Sequence, residues 1–319
     1  MASELRSFMF EGLPVRGALV RLTDAWQELL RRRGPDKGYP PSVRDLLGEM
    51  SAAAVLMQSG LKFDGALVMQ VFGDGPVRLA VAEAGSDLTL RATAKVVGDV
   101  ADDAGLQAML NVHGQGRFAI TLDPRGRQPG QQPYQGVVPL VGDRREPLAG
   151  LAEVLEHYMR QSEQLDTRLV LAADAQTAAG LLIQRLPVQG GSAAGVRPPQ
   201  DDESAGQGFE RIAMLASTLT RDELLALPPE RVLHRLFWQE TLRLFDPRTP
   251  RFACSCTRER VAGMLRSLGR QESEDLIAER GAVEVGCEFC GLEHRFDAVD
   301  VAALFTPSGL QPPSSGSLQ

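Results

Sequence analysis

Four cysteines are the residues of this chain best suited to chemistry. Cys254 and Cys256 form a C-x-C pair and Cys287 and Cys290 a C-x-x-C pair, and the 319 residues contain no others. Two close pairs separated by a short module's length of chain let each pair offer two thiolates to one side of a metal ion. That is the pattern of a tetrahedral four-sulfur zinc site, with a disulfide pair or an iron–sulfur centre as alternatives. Four thiolates close the coordination shell, so no position remains for an activated water and hydrolytic zinc chemistry is excluded. A thioredoxin-like role for Cys287 and Cys290 would require a helix N-terminus inside a βαβ unit. Here the pair lies between the strand-like runs 282–285 and 293–296.

Other chemistry finds little support. His113, His157, His234 and His294 show no spacing with nucleophiles or with one another that makes a triad or a metal site. Gly73-Asp74-Gly75 is a turn, because no helix and no Lys-Ser/Thr follows it as a phosphate loop requires. The formal net charge is −7, and residues 247–305 hold eight arginines against ten acids, so no nucleic-acid partner is expected. No run of eighteen apolar residues reads as a membrane span, and Met1 to Glu11 lacks the layout of a signal peptide. A cytoplasmic location follows as an expectation. There thiols stay reduced and clustered cysteines read as ligands or sensors.

The elements that must position the cysteines form an α+β chain. Residues 1–187 read as an N-terminal mixed sheet-and-helix domain. Strands are expected at 8–10, 15–22, 66–71, 77–82, 88–94, 109–114 with 116–122, 134–140, 167–173 and 178–186, as a meander completed into one sheet. Helices are expected at 26–33, from Ser42 to about Gly60, and at 148–164. A linker with helices follows over 188–246. Its first part, 189–208, is rich in Gly, Pro and Ser and reads as a flexible tether. From Phe209 an apolar stripe resumes, Thr220 and Glu223 form a capping box, and Pro228-Pro229 opens a helix burying Val232, Leu233, Leu236 and Phe237. Residues 247–305 form a small zinc-binding domain. In it Thr257 caps a helix with Val261, Met264, Leu265 and Leu268 inward, a short helix spans 273–279, and two strands flank a knuckle in which Gly291 takes a left-handed turn. Residues 306–319 read as a disordered tail.

Taken together, these residues resemble the heat shock protein 33 family of bacterial redox-regulated holdase chaperones. The resemblance rests on the cysteine spacing and on Val15-Arg16-Gly17, Leu46-Leu47-Gly48-Glu49, Gln70 to Pro76, Tyr134-Gln135-Gly136-Val137, Tyr158 to Gln164 and Leu233 to Phe237. It covers nearly the whole chain, and the stretch 189–208 is longer than the family pattern. It implies an ATP-independent holdase, not an enzyme. In the reduced form, one Zn2+ would be held by Cys254, Cys256, Cys287 and Cys290. Oxidation would form the disulfides Cys254–Cys256 and Cys287–Cys290, release zinc, unfold the linker and expose apolar surface to unfolding client proteins, with a homodimer as the oxidised form. The alternative is a constitutive zinc-ribbon adaptor for a protein or RNA partner.

Overall fold

The computed structural model describes residues 2–33, 38–126, 132–187 and 202–306, with side chains from Gly206 onward in the last segment. The chain divides into two compact units, Met1–Ala253 and Cys254–Gln319. Among the described residues no helix is long and apolar enough to cross a membrane.

The first unit is organised around one helix, α2 (Pro41–Ser59), which carries apolar or small residues on every side and is buried along most of its length. A helix apolar all round needs cover on all faces, and two sheets supply it. One is β10-β1-β2-β9-β8, built from β1 (Glu4–Phe10), β2 (Val15–Leu22), β8 (Thr167–Ala173), β9 (Ala178–Arg185) and β10 (Leu242–Leu244). The other is β11-β5-β4-β3-β6-β7, built from β3 (Gly65–Phe72), β4 (Val77–Gly85), β5 (Thr89–Val96), β6 (Arg117–Pro124), β7 (Tyr134–Pro139) and β11 (Arg251–Phe252). Val20, Leu22 and Leu182 from the first sheet and Leu67, Met69 and Val71 from the second join Leu47, Met50 and Ala53 of α2 in one core. α1 (Asp24–Arg32) adds the fully buried Trp26 to this core, and α4 (Leu151–Tyr158) adds Val154, Leu155 and Tyr158. The expected single sheet is therefore two, because β2, β8 and β9 cross to the other side of α2 instead of extending the meander.

The outer face of the first sheet is also covered. α5 (Asp202–Ser217), α6 (Arg221–Ala226) and α7 (Pro229–Phe237) lay Ile212, Ala216, Leu224, Val232 and Phe237 against Phe8, Phe10, Val15, Leu19, Leu181 and Ile183. This is why β9 is buried on both faces and reads in sequence as the unbroken apolar run Ala178–Ile183. The rings of Phe10 and Phe237 meet edge to face with centroids 5.0 Å apart, a favoured arrangement for aromatic pairs. Arginines reinforce the packing. Arg21 donates to the carbonyls of Leu225 and Leu227, and Arg221 to Asp45 Oδ2 at 3.1 Å and to the carbonyl of Ala173.

Two local readings are corrected and one holds. Residues 109–114 do not form a strand: α3 (Leu106–Leu110) places Leu106, Met109 and Leu110 at helical spacing on one buried face. Helix α5 begins at Asp202, inside the stretch read as tether; 188–201 lies outside the described residues, as does the tail from 307. The capping box at Thr220 and Glu223 is present in full.

The second unit holds α8 (Arg258–Leu268), α9 (Arg270–Arg280), the hairpin of β12 (Val283–Gly286) with β13 (Glu293–Phe296), and α10 (Ala298–Leu304). Its core is Ala262, Leu265, Val283, Phe296 and Val301 with a few partly buried neighbours. Met264 and Leu268, expected to face inward, are each 52% exposed. So small a core covers one narrow stripe of α8, and these two residues fall outside it.

Candidate metal centre

The cysteines occupy two loops of the second unit. Cys254 and Cys256 precede α8, whose N-terminus is fixed by Thr257 accepting from the N–H of Arg260 at 3.3 Å. Arg260 reaches back to the intervening loop, donating to Ser255 Oγ at 2.6 Å and to its carbonyl at 3.3 Å. Cys287 and Cys290 form the tip of the β12–β13 hairpin. There the N–H of Gly291 donates to the carbonyl of Cys287 at 2.8 Å, the N–H of Cys287 donates to the carbonyl of Leu292 at 2.9 Å, and Gly291 holds φ +67°. That left-handed turn favours a residue without Cβ. Arg258 joins the pieces: it donates to the carbonyl of Arg295 at 2.6 Å, pairs with Asp300 at 2.7 Å and lies over the Phe296 ring at 4.1 Å.

These supports bring all four sulfurs within 4.8 Å of one another. Cys254 and Cys287 are 3.6 Å apart and Cys256 and Cys290 3.2 Å. A tetrahedral ion with Zn–S bonds of about 2.3 Å sets its sulfurs about 3.8 Å apart, so the residues fit such a group. Cys290 is buried and the other three are partly buried.

Electrostatics point the same way. Burial acts to raise the thiols of Cys254, Cys256 and Cys290. At Cys254 that effect is overcome by the N–H of Cys256 and by the adjacent thiols, which bring its pKa down to about 7. Cys256 is pushed up by burial and by its three sulfur neighbours, and Cys290 is pushed up by burial above all. Four thiols this close cannot all ionise unaided, because like charges at this distance oppose one another. A bound dication removes the conflict.

The sequence identified all four cysteines, the Thr257 cap and the Gly291 turn. It did not single out Arg258 and Arg260, which enter the sequence reading only within a charge count. Their proximity to Thr257 at a helix start is the signal that was available. The four histidines take no part in the sulfur cluster.

Comparison with known proteins gives the lineage. A family model described as Hsp33 protein matches residues 3–297. The chain belongs to the Hsp33 family. Among curated Hsp33 relatives, the 33 kDa chaperonin of Chromobacterium violaceum is 46% identical over 302 residues, covering 95% of this chain and 93% of its own. That of Methylobacillus flagellatus is 41% identical, covering 98% and 97%. The crystal structure of the 33 kDa chaperonin (heat shock protein 33 homolog) from Thermotoga maritima has a TM-score of 0.74 at 22% identity, covering 94% of this chain and 97% of that one, which shows a shared fold. The chain is thus a member of a chaperone family and not an enzyme.

Proposed function

We propose that this Hsp33-family chain is a redox-regulated, ATP-independent holdase acting in the cytoplasm. The observation that carries the reading is the apolar sheet face of Phe8, Phe10, Val15, Leu19, Leu181 and Ile183, hidden beneath helices α5–α7. In the reduced form, Cys254, Cys256, Cys287 and Cys290 hold one Zn2+. The second unit has a small core of its own, so the metal supplies much of its folding free energy, on the order of 10 kcal/mol for structural zinc. Peroxide takes two electrons from each pair, forming Cys254–Cys256 and Cys287–Cys290 and leaving water as the reduced product. Without thiolates the metal leaves and the second unit loses its fold.

Within the linker 188–246, the described helices from Asp202 onward then act as the movable part between a client-binding and dimerisation domain, 1–187, and a zinc redox-switch domain, 247–305. Release of α5–α7 exposes the sheet face, and unfolding clients bind it through apolar contact rather than a shaped pocket. The oxidised form is a homodimer.

The test pairs zinc and free-thiol content before and after peroxide with light scattering of a heat-denatured client. Oxidation is expected to release one zinc per chain and to suppress aggregation. An oxidised protein that releases zinc yet protects the client no better than the reduced form would leave a constitutive adaptor as the better reading.

A further inference from the structure

In the first unit, a cavity of about 110 Å³ opens at the edge between the two sheets. Leu67, Ile120 and Leu122 wall it from one sheet and Leu182 from the other, with Arg16 and Gln184 at one end. Arg16 and Gln184 are register partners on β2 and β9. Arg16 donates to Gln184 Oε1 through Nε at 2.9 Å and Nη2 at 2.6 Å, and Gln184 Nε2 donates to Thr167 Oγ1 at 3.0 Å, which fixes the amide's orientation.

Among the described residues Arg16 has no carboxylate within ion-pair distance; a neutral amide stands where a counterion is usual. The guanidinium also lies against Gly60 at the end of α2, so closely that a Cβ there would collide with it. A helix C-terminus offers about half a negative charge, which leaves about half of the arginine's charge uncompensated. Burial acts on that charge directly, holding the Arg16 pKa below its ordinary value. The polar groups on the opposite side are already engaged. Tyr134 and Tyr158 both donate to Glu163 Oε1, at 2.9 and 3.0 Å, so neither hydroxyl proton is free for a ligand.

We propose that this pocket binds a small carboxylate with an apolar body, a single ring or a short hydrocarbon chain. Its carboxylate is taken by Arg16 and its body lies against Leu67, Ile120, Leu122 and Leu182. The cavity is smaller than the roughly 150 Å³ that encloses benzene, so it takes part of a ring or a short chain and the rest protrudes through the open mouth. Charge sets the orientation: the partly buried Arg16 guanidinium gains a charge-assisted, two-pronged hydrogen bond from a carboxylate and not from an alcohol, while the Glu163 carboxylate in the lining keeps the anionic group at the Arg16 end. The site is independent of the cysteine cluster.

Phenylacetate is the probe and benzyl alcohol its neutral counterpart, each titrated into the full chain by calorimetry and followed by thermal denaturation. Phenylacetate is expected to bind saturably, at least about tenfold tighter than benzyl alcohol, and to raise the melting temperature with concentration as binding to the native state requires. Gln184→Glu supplies Arg16 with a carboxylate in the place of the amide; it is expected to keep the fold and to weaken phenylacetate at least about tenfold. Leu61→Trp, at a half-exposed position on the pocket wall, is expected to abolish binding with the Arg16–Gln184 pair untouched. Equal affinity for the two probes, unchanged affinity in Gln184→Glu, or no saturable binding would overturn the proposal.

Discussion

Cys256 and Cys290 are 34 positions apart in the chain, and their sulfurs stand 3.2 Å apart. The matching contact, Cys254 to Cys287 at 3.6 Å, also joins one member of the C-x-C pair to one of the C-x-x-C pair. The cluster therefore ties the loop before α8 to the β12–β13 hairpin. Loss of any one thiol undoes a link between elements, not merely a link within a loop.

Cys287→Ser is accordingly expected to lower bound zinc from one per chain to near zero under competition with a chromophoric chelator, as is Cys256→Ser. A Cys287→Ser protein that holds zinc as tightly as the parent would disprove the four-thiolate site.

Metal removal is expected to act locally. With a strong chelator and reductant present, amides of 254–306 should lose hydrogen-exchange protection while those of β2, β9 and α2 keep theirs. The reason is the disparity between the two cores: the second unit's is a few side chains around Leu265 and Phe296, whereas α2 is enclosed by two sheets. Uniform loss of protection across both units would count against this.

Phe237 packs on Phe8 and Phe10 and is 2% exposed. Phe237→Ala should cost about 3–5 kcal/mol of α5–α7 docking or of overall stability, the usual range for a buried aromatic. Its signature is increased binding of a hydrophobic dye by the reduced, zinc-replete protein. If the dye signal stays at the parent level, the sheet face is covered by something other than these helices.

Arg221→Ala removes the hydrogen bonds from α6 to Asp45 and to the carbonyl of Ala173. Bonds to charged groups are worth about 1.5–3 kcal/mol, so α6 amides should exchange roughly tenfold to a hundredfold faster. Exchange in β3 and β4 should not change.

Glu49 on α2 is partly buried, and desolvation raises its pKa to about 7, with Arg221 opposing the rise and Asp45 adding to it. A carboxyl raised in the folded state contributes stability that is fully present below its unfolded value, 4.5, and lost as pH rises through about 7. Glu49→Gln is expected to match the parent near pH 4.5 and to exceed it by roughly 1–3 kcal/mol at pH 8. Denaturant melts at several pH values check this; parallel pH profiles for the two proteins would refute it.

Much of the candidate site was legible because its signals are local. A cysteine pair is a matter of two or three residues. The Thr257 cap and the Gly291 turn depend on backbone conformation within a single turn, and the Thr220–Glu223 box on four consecutive residues. The errors arose where the deciding partner is distant. Residues 109–114 carry apolar types that suit a strand, but contact with the body of the unit through Leu106, Met109 and Leu110 selects a helix. Met264 and Leu268 have the spacing of core residues, yet among the described residues they stay half-exposed.

By itself the sequence determined the α+β class, the strands and helices with strong periodicity, the four thiols and the family they resemble, since each follows from residue types at short spacing. Tertiary structure alone decided three things: that the strands divide into two sheets around α2, that α5–α7 cover the face of Phe8 and Phe10, and that sulfurs thirty-odd residues apart converge within 4.8 Å. Each depends on which distant surface an apolar face finds to leave water. Periodicity shows that a face needs a partner, and only packing selects it.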